Sequence, residues 1–222
     1  MKKISTIIMK SKYYVISALM FLTLIYTIIF MIISPDSIPM HYNVLGEIDR
    51  YGSKYEMIML PIFVLISGIV PMLFAKHFKS KSDKSSEKLS LNVGIVLVLM
   101  FIALYVLFSV MALNSNIEYG TDIGKVIIIA IGIFITVLCN LMPKARLNSL
   151  FGIRTSWSIA NEKTWQKSQR FGGYSGVICG VILVISGFIF SFEIGIIITI
   201  SLVTLWAVLS SIMSYVFYKK YD

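Results

Sequence analysis

Six long apolar runs separated by short polar segments set the reading of this chain: residues 13–33, 57–75, 91–113, 123–142, 173–190 and 194–218. A helix needs about 20 residues to cross the hydrocarbon core of a bilayer, and in lipid it satisfies its own backbone hydrogen bonds. The pattern predicts an all-α membrane protein, a bundle of six transmembrane helices. The fifth run is the shortest, and only three residues separate it from the sixth. The first run follows Lys2, Lys3, Lys10 and Lys12, as a secretory signal would. Its 21 residues exceed the roughly 7–15 of a signal's apolar region. No small-residue cleavage site follows, so an uncleaved first span is expected.

Composition supports a membrane protein, with 57% hydrophobic and 14% charged residues, where soluble domains carry about 25% charge. The formal net charge is +9, and its distribution along the chain is uneven. The N-terminal segment, the second and fourth loops and the C-terminus hold 17 of the 20 Lys and Arg residues. The positive-inside rule then places both termini in the cytoplasm. The basic excess reads as a topology signal rather than as a nucleic-acid surface. Cys139 and Cys179 fall toward the cytoplasmic ends of spans four and five, a reducing and apolar setting that argues against a structural disulfide. Their spacing also lacks the neighbours of a metal site.

The longest polar-rich interruption, Asn148 to Gly180, carries two of the three tryptophans and the basic residues Lys163, Lys167 and Arg170 at helical spacing. Ser158 is expected to N-cap a helix, accepting from a backbone N–H near Asn161, with Glu162 in the positive first turn. That helix should run unbroken through Trp165 and Arg170 into the fifth span. Lys163 and Lys167 suit a solvated face or headgroup contact. Arg154 sits in a turn after Gly152 and beside Trp157, where its five donors can bridge carbonyls or a carboxylate. Gly172, Gly176 and Gly180 recur every four residues, with Gly187 beyond. Such a stripe lets another helix approach closely, whether an internal partner or a second subunit.

The first outer loop places Asp36, His41, Glu47, Asp49 and Lys54 within nineteen residues, with Pro35 and Pro39 forbidding helix and Gly46 and Gly52 offering turns. His41, Glu47 and Asp49 are candidate metal ligands. The other reading is that these side chains hydrogen-bond one another and shape a rigid cap. The second loop, KHFKSKSDKSSEK, reads as a solvated basic connector, with His77 a surface residue, and NSNIEYGTD as a plain external turn. Polar groups inside the spans are few. Asn140, Thr136 and Ser186 suit helix-to-helix hydrogen bonds, and Pro61, Gly68 and Pro71 signal a kink in span two.

The stretch Gly152-Ile-Arg154-Thr155-x-Trp157-Ser158, then Asn161-Glu162-x-x-Trp165 and Arg170-x-x-Gly173, resembles the signature of the SdpI family of bacterial membrane immunity proteins. The outer loop, with Ile38-Pro39-x-His41-x-Asn43-x-x-Gly46 and Asp49 ahead of Lys54, looks like the DUF1648 module that precedes it in many members. The resemblance implies a DUF1648-like region over 1–90 and an SdpI-like region over 91–222, together one compact membrane domain. Two positions depart from the family pattern: Gln169-Arg170 stands where a His-Arg pair is usual, and Ser158 where Thr is. Without the histidine the loop lacks a group that titrates near neutral pH.

The resemblance implies a multi-pass protein of the bacterial plasma membrane that protects its cell from a secreted peptide toxin met outside. It further implies a small repressor protein bound inside, and neither a catalytic set nor a cofactor. The residues alone leave two other classes open. One is a small transporter or exporter, with Asn140 and the second span lining a path. The other is a metalloenzyme built on His41, Glu47 and Asp49. No phosphate-binding glycine loop or H-E-x-x-H motif appears, which ranks the enzyme last.

Overall fold

The computed structural model describes residues 2–43, 47–114, 122–148 and 150–221, without the side chains of 2–6 and 122. Gly46 and nearly all of the NSNIEYGTD turn lie outside the described residues. Six helices form: α1 (Lys2–Ile33), α2 (Met59–Ser80), α3 (Lys84–Leu113), α4 (Asp122–Leu141), α5 (Glu162–Ile189) and α6 (Phe192–Tyr221). All six are long and apolar enough to cross a membrane. Between α1 and α2 lies an antiparallel hairpin of β1 (Ser37–Tyr42) and β2 (Ile48–Ser53), followed by a 3-10 turn, Lys54–Ile58. The hairpin is an addition to the expected helices. Pro39 fits it because neither strand of a two-stranded ribbon needs every N–H.

Two compact units are present, one built from residues 2–82 and 90–114, the other from 83–89 and 122–221. In the first, Ile16 of α1, Val64 and Ala75 of α2, and Leu91 and Val98 of α3 form one buried cluster. A second cluster joins Phe30, Met57, Tyr105 and Ala112 with Ile38, which β1 sinks into it. Tyr105 meets the rings of Tyr26 and Phe30 edge-on, with centroids 5.2 and 6.2 Å apart. The expected kink in span two does not break the helix: α2 is continuous with Pro71 inside it. The Pro71 carbonyl accepts from Ser90 Oγ at 2.7 Å. Gly94 of α3 faces the proline ring, where a methyl group would lie 2.9 Å from Pro71 Cβ.

In the second unit α5 is the central helix. Its glycines lie against α4: a methyl at Gly180 would stand 2.6 Å from the Gly132 carbonyl oxygen, and one at Gly173 would stand 2.9 Å from the Cys139 carbonyl. Gly187 meets Ile129 in the same way, so four small positions let two backbones touch. Gly172 instead makes room for Ile153 of the preceding loop. Helix α6 joins them through Trp206, whose Nε1 donates to the Gly172 carbonyl at 3.0 Å. Cys139 and Cys179 are buried and unbridged.

Candidate functional site

The segment from Ala145 to Asn161 has little regular structure, yet its backbone is held at almost every turn. Asn148 starts it: its Oδ1 accepts from the N–H groups of Leu150 and Phe151 at 2.8 Å each, and its Nδ2 donates to the Arg146 carbonyl at 2.7 Å. Arg154 Nη1 donates to the Asn148 carbonyl, closing this turn from the far side. Gly152 has φ 123°, in the left-handed region where a side chain is strained. A Cβ there would also fall 2.8 Å from Gln169 Cδ.

Gln169 reaches back from α5 and pairs with Ile153. The Ile153 N–H donates to Gln169 Oε1, and Gln169 Nε2 donates to the Ile153 carbonyl, both at 2.9 Å. Ser158 takes up the next residues, its Oγ donating to the Ile153 carbonyl at 2.8 Å and accepting from the Thr155 N–H at 3.0 Å. Thr155 Oγ1 in return accepts from the Ser158 N–H at 3.0 Å and meets Ser214 Oγ of α6 at 2.7 Å. Ser158, Gln169 and Trp165 are all fully buried. Trp165 Nε1 donates to the Ala145 carbonyl at 2.8 Å, pinning the start of the loop to α5.

Asn161, rather than Ser158, caps α5. Its side chain accepts from the Thr164 N–H at 2.8 Å, and Glu162 occupies the first turn. Both residues are good caps, but Ser158 is already engaged inside the loop. The helix runs through Trp165, Arg170 and Gly173 without a break. Trp157 leans edge-on against Tyr215 of α6, with centroids 5.1 Å apart. Lys163 is exposed, and its Nζ lies 4.4 Å from the Tyr221 ring centroid. Arg154, Lys167 and Arg170 are exposed.

Several participants carried no sequence signal strong enough to single them out. Ser214, Tyr215 and Trp206 are ordinary span residues by pattern, and only the fold brings them to the loop. Asp83 could have been found as a cap before Ser-Ser-Glu. Its Oδ1 accepts from the N–H groups of Ser85 and Ser86 at 3.1 Å each, starting α3. The second loop is therefore more than a solvated connector, because Ser86 and Glu87 in that first turn are buried. Burial alone would raise the Asp83 carboxyl, but hydrogen bonds from Ser86, the Arg146 guanidinium and the Ser85 N–H hold it below its ordinary value.

The hairpin gathers the other set of candidates into separate pairs. His41 Nδ1 and Asp49 Oδ1 lie 2.6 Å apart, at a place where the strand register skips Met40 and Asp49. Glu47 does not join them: its Oε2 accepts from Asn43 Nδ2 at 2.8 Å. Among the described residues no three His, Cys, Asp or Glu side chains gather as a metal-ligand group. Lys54 Nζ reaches Asp36 Oδ1 at 3.0 Å and the Ser34 carbonyl at 3.3 Å, tying the hairpin base to the end of α1. Pro39 is buried, whereas the side chains of His41 and Asp49 are 65% and 43% exposed. A clasp so open to water adds little to stability.

Residues 144–214 match the SdpI/YfhL protein family, and residues 18–65 match the domain of unknown function DUF1648. The chain is 31% identical to the Immunity protein SdpI of Bacillus subtilis (strain 168) over 187 residues, covering 84% of this chain and 86% of that protein. No solved structure matches. The two matched regions hold the paired hairpin residues and the locked loop with most of its α5 and α6 contacts. The chain is a multi-pass bacterial membrane protein and belongs to the SdpI/YfhL protein family.

Proposed function

We propose that this protein shields the cell that makes it from a secreted, membrane-active peptide toxin, and that it does so by binding rather than by catalysis. The observation that carries this reading is the similarity to an immunity protein over 84% of the chain. The basic asymmetry supports an outward-facing hairpin, with exposed His41, Asp49, Arg50 and Glu47 offered to a polar part of the toxin. The signature loop and both termini then lie in the cytoplasm.

On that inner side the exposed cations Lys144, Arg146, Arg154, Lys167 and Arg170 form a surface with Glu162 the one acidic residue between positions 143 and 171. We assign to it a second role, the holding of a small repressor protein at the membrane while toxin is present. The loop's hydrogen bonds to α5 and α6 give such a partner a fixed shape to read.

The experiment is complementation. A derivative of strain 168 lacking Immunity protein SdpI, expressing this chain, is grown with its toxin-secreting parent. Survival above an empty-vector control is expected. Equal killing with the chain present in the membrane would contradict the proposal.

A further inference from the structure

The second unit contains an open cleft of about 610 Å³, bounded by the end of α4, residues 150–155 and one face of α6. Its size is that of a small-molecule site, about 300–1,000 Å³. The walls are apolar, from Leu138, Met142, Leu150, Trp206 and Ala207, and Arg154 lies among the loop residues that line it. One polar group on the wall has no hydrogen-bond partner among the described residues. It is the hydroxyl of Ser210, which is 3% exposed and lines the cleft. Its neighbours do not share this state: Ser211 Oγ donates to the Ala207 carbonyl at 2.9 Å and Ser214 Oγ to the Ser211 carbonyl at 2.7 Å. A buried hydroxyl without a partner is costly, and more so in a membrane.

We propose that this cleft binds an anionic phospholipid. One acyl chain lies along the apolar wall, an ester carbonyl accepts from Ser210 Oγ, and the phosphate meets Arg154. Charge favours this occupant. Arg154 gives one guanidinium N–H to the Asn148 carbonyl and keeps others for phosphate oxygens, which the planar fork suits. The surrounding loop adds exposed Lys144 and Arg146, which an anionic surface attracts. The site is independent of the immunity reading and stands or falls by a different measurement.

The full chain is reconstituted in phosphatidylcholine vesicles containing a minor fraction of brominated phosphatidylglycerol or brominated phosphatidylcholine, and tryptophan fluorescence is read. In a Trp157→Phe background, where the other remaining tryptophan, Trp165, is fully buried, Trp206 on the cleft wall should be quenched more by the brominated glycerol lipid. Unlabelled phosphatidylglycerol should relieve that quenching in this background. The headgroup preference should be lost in Arg154→Gln and in Ala207→Phe, which fills the cleft without altering charge. Equal quenching by the two lipids in the Trp157→Phe parent would overturn the proposal. So would a preference that persists in Ala207→Phe, since the attraction would then be to the basic surface at large.

Discussion

The side-chain amide of Gln169 and the backbone of Ile153 form a closed pair, each donating to the other at 2.9 Å. An amide side chain is suited to this because it presents one acceptor and one donor side by side, as a neighbouring strand would. Sixteen residues of chain are thereby fastened to the second turn of a helix. The Gly152 backbone, with φ 123°, is what brings Ile153 into reach.

Gln169→Leu removes both bonds and leaves the Ile153 N–H unpaired, at a cost of about 1–3 kcal/mol where the group is buried. A lowered thermal midpoint in detergent is the expected result. Gln169→His places at this position the histidine that the family resemblance leads one to expect, and should make stability depend on pH. The Ile153 N–H needs an acceptor nitrogen, so the folded state favours neutral imidazole and its pKa falls below the unfolded value of about 6.5. Its contribution is then complete above that value and lost as pH falls through the folded one. The native amide has no such transition.

Close packing of α5 on α4 gives a second expectation. Gly180→Leu would drive a side chain into the Gly132 carbonyl, 2.6 Å from the position of its Cβ. Overpacking of this kind costs about 1–3 kcal/mol or more, and backbone has less room to yield than a side chain. The extracted, monodisperse yield should fall. Tyr174→Ala, on an exposed face of the same helix, should leave it unchanged.

Asp83 should matter through its cap and its charge. Asp83→Ala removes the acceptor for two backbone N–H groups and is expected to lower stability by about 1 kcal/mol. Because its folded pKa lies below the ordinary 3.8, the carboxylate's contribution is complete above that value. It declines as pH falls through the folded pKa. Thermal scans at pH 7 and near pH 3 should show the wild type and Asp83→Ala converging at the lower pH.

The orientation has its own check. Single cysteines at Ser37 and Ser156, both exposed, with Cys139 and Cys179 replaced by Ala, should react with an impermeant maleimide from opposite sides. Position 37 should label in intact cells, and position 156 only after the membrane is opened.

Much of the helical architecture could be read from hydropathy alone, since a bilayer demands unbroken apolar runs and little else has that form. The continuous α5 was legible too, because nothing between Asn161 and Arg170 breaks a helix. The hairpin was not: strands of six residues with a proline in one of them carry a weak signal, and Ile38 is identifiable as core only once Phe30 and Tyr105 surround it. In the loop, the residue types were visible but their assignments were not. Ser158 and Asn161 are equivalent as caps by chemistry, and the fold decided between them by giving Ser158 other partners. Contacts from Ser214, Tyr215 and Trp206 were invisible for a different reason: lipid-facing and loop-facing positions on a uniformly apolar helix look alike.

The central claim, that the signature loop serves immunity through its fixed shape rather than its bulk charge, is tested most directly by survival of cells expressing loop variants at matched membrane abundance. Arg154→Lys keeps the charge but loses the planar fork that closes the turn at Asn148, and survival in co-culture with the toxin-secreting parent should fall toward that of the empty vector. Lys167→Gln, on the exposed face of α5, should protect as the wild type does, and Lys163→Gln nearly so, losing a cation–π contact of about 0.5–1 kcal/mol. Full protection by Arg154→Lys, or equal loss in all three variants, would contradict it.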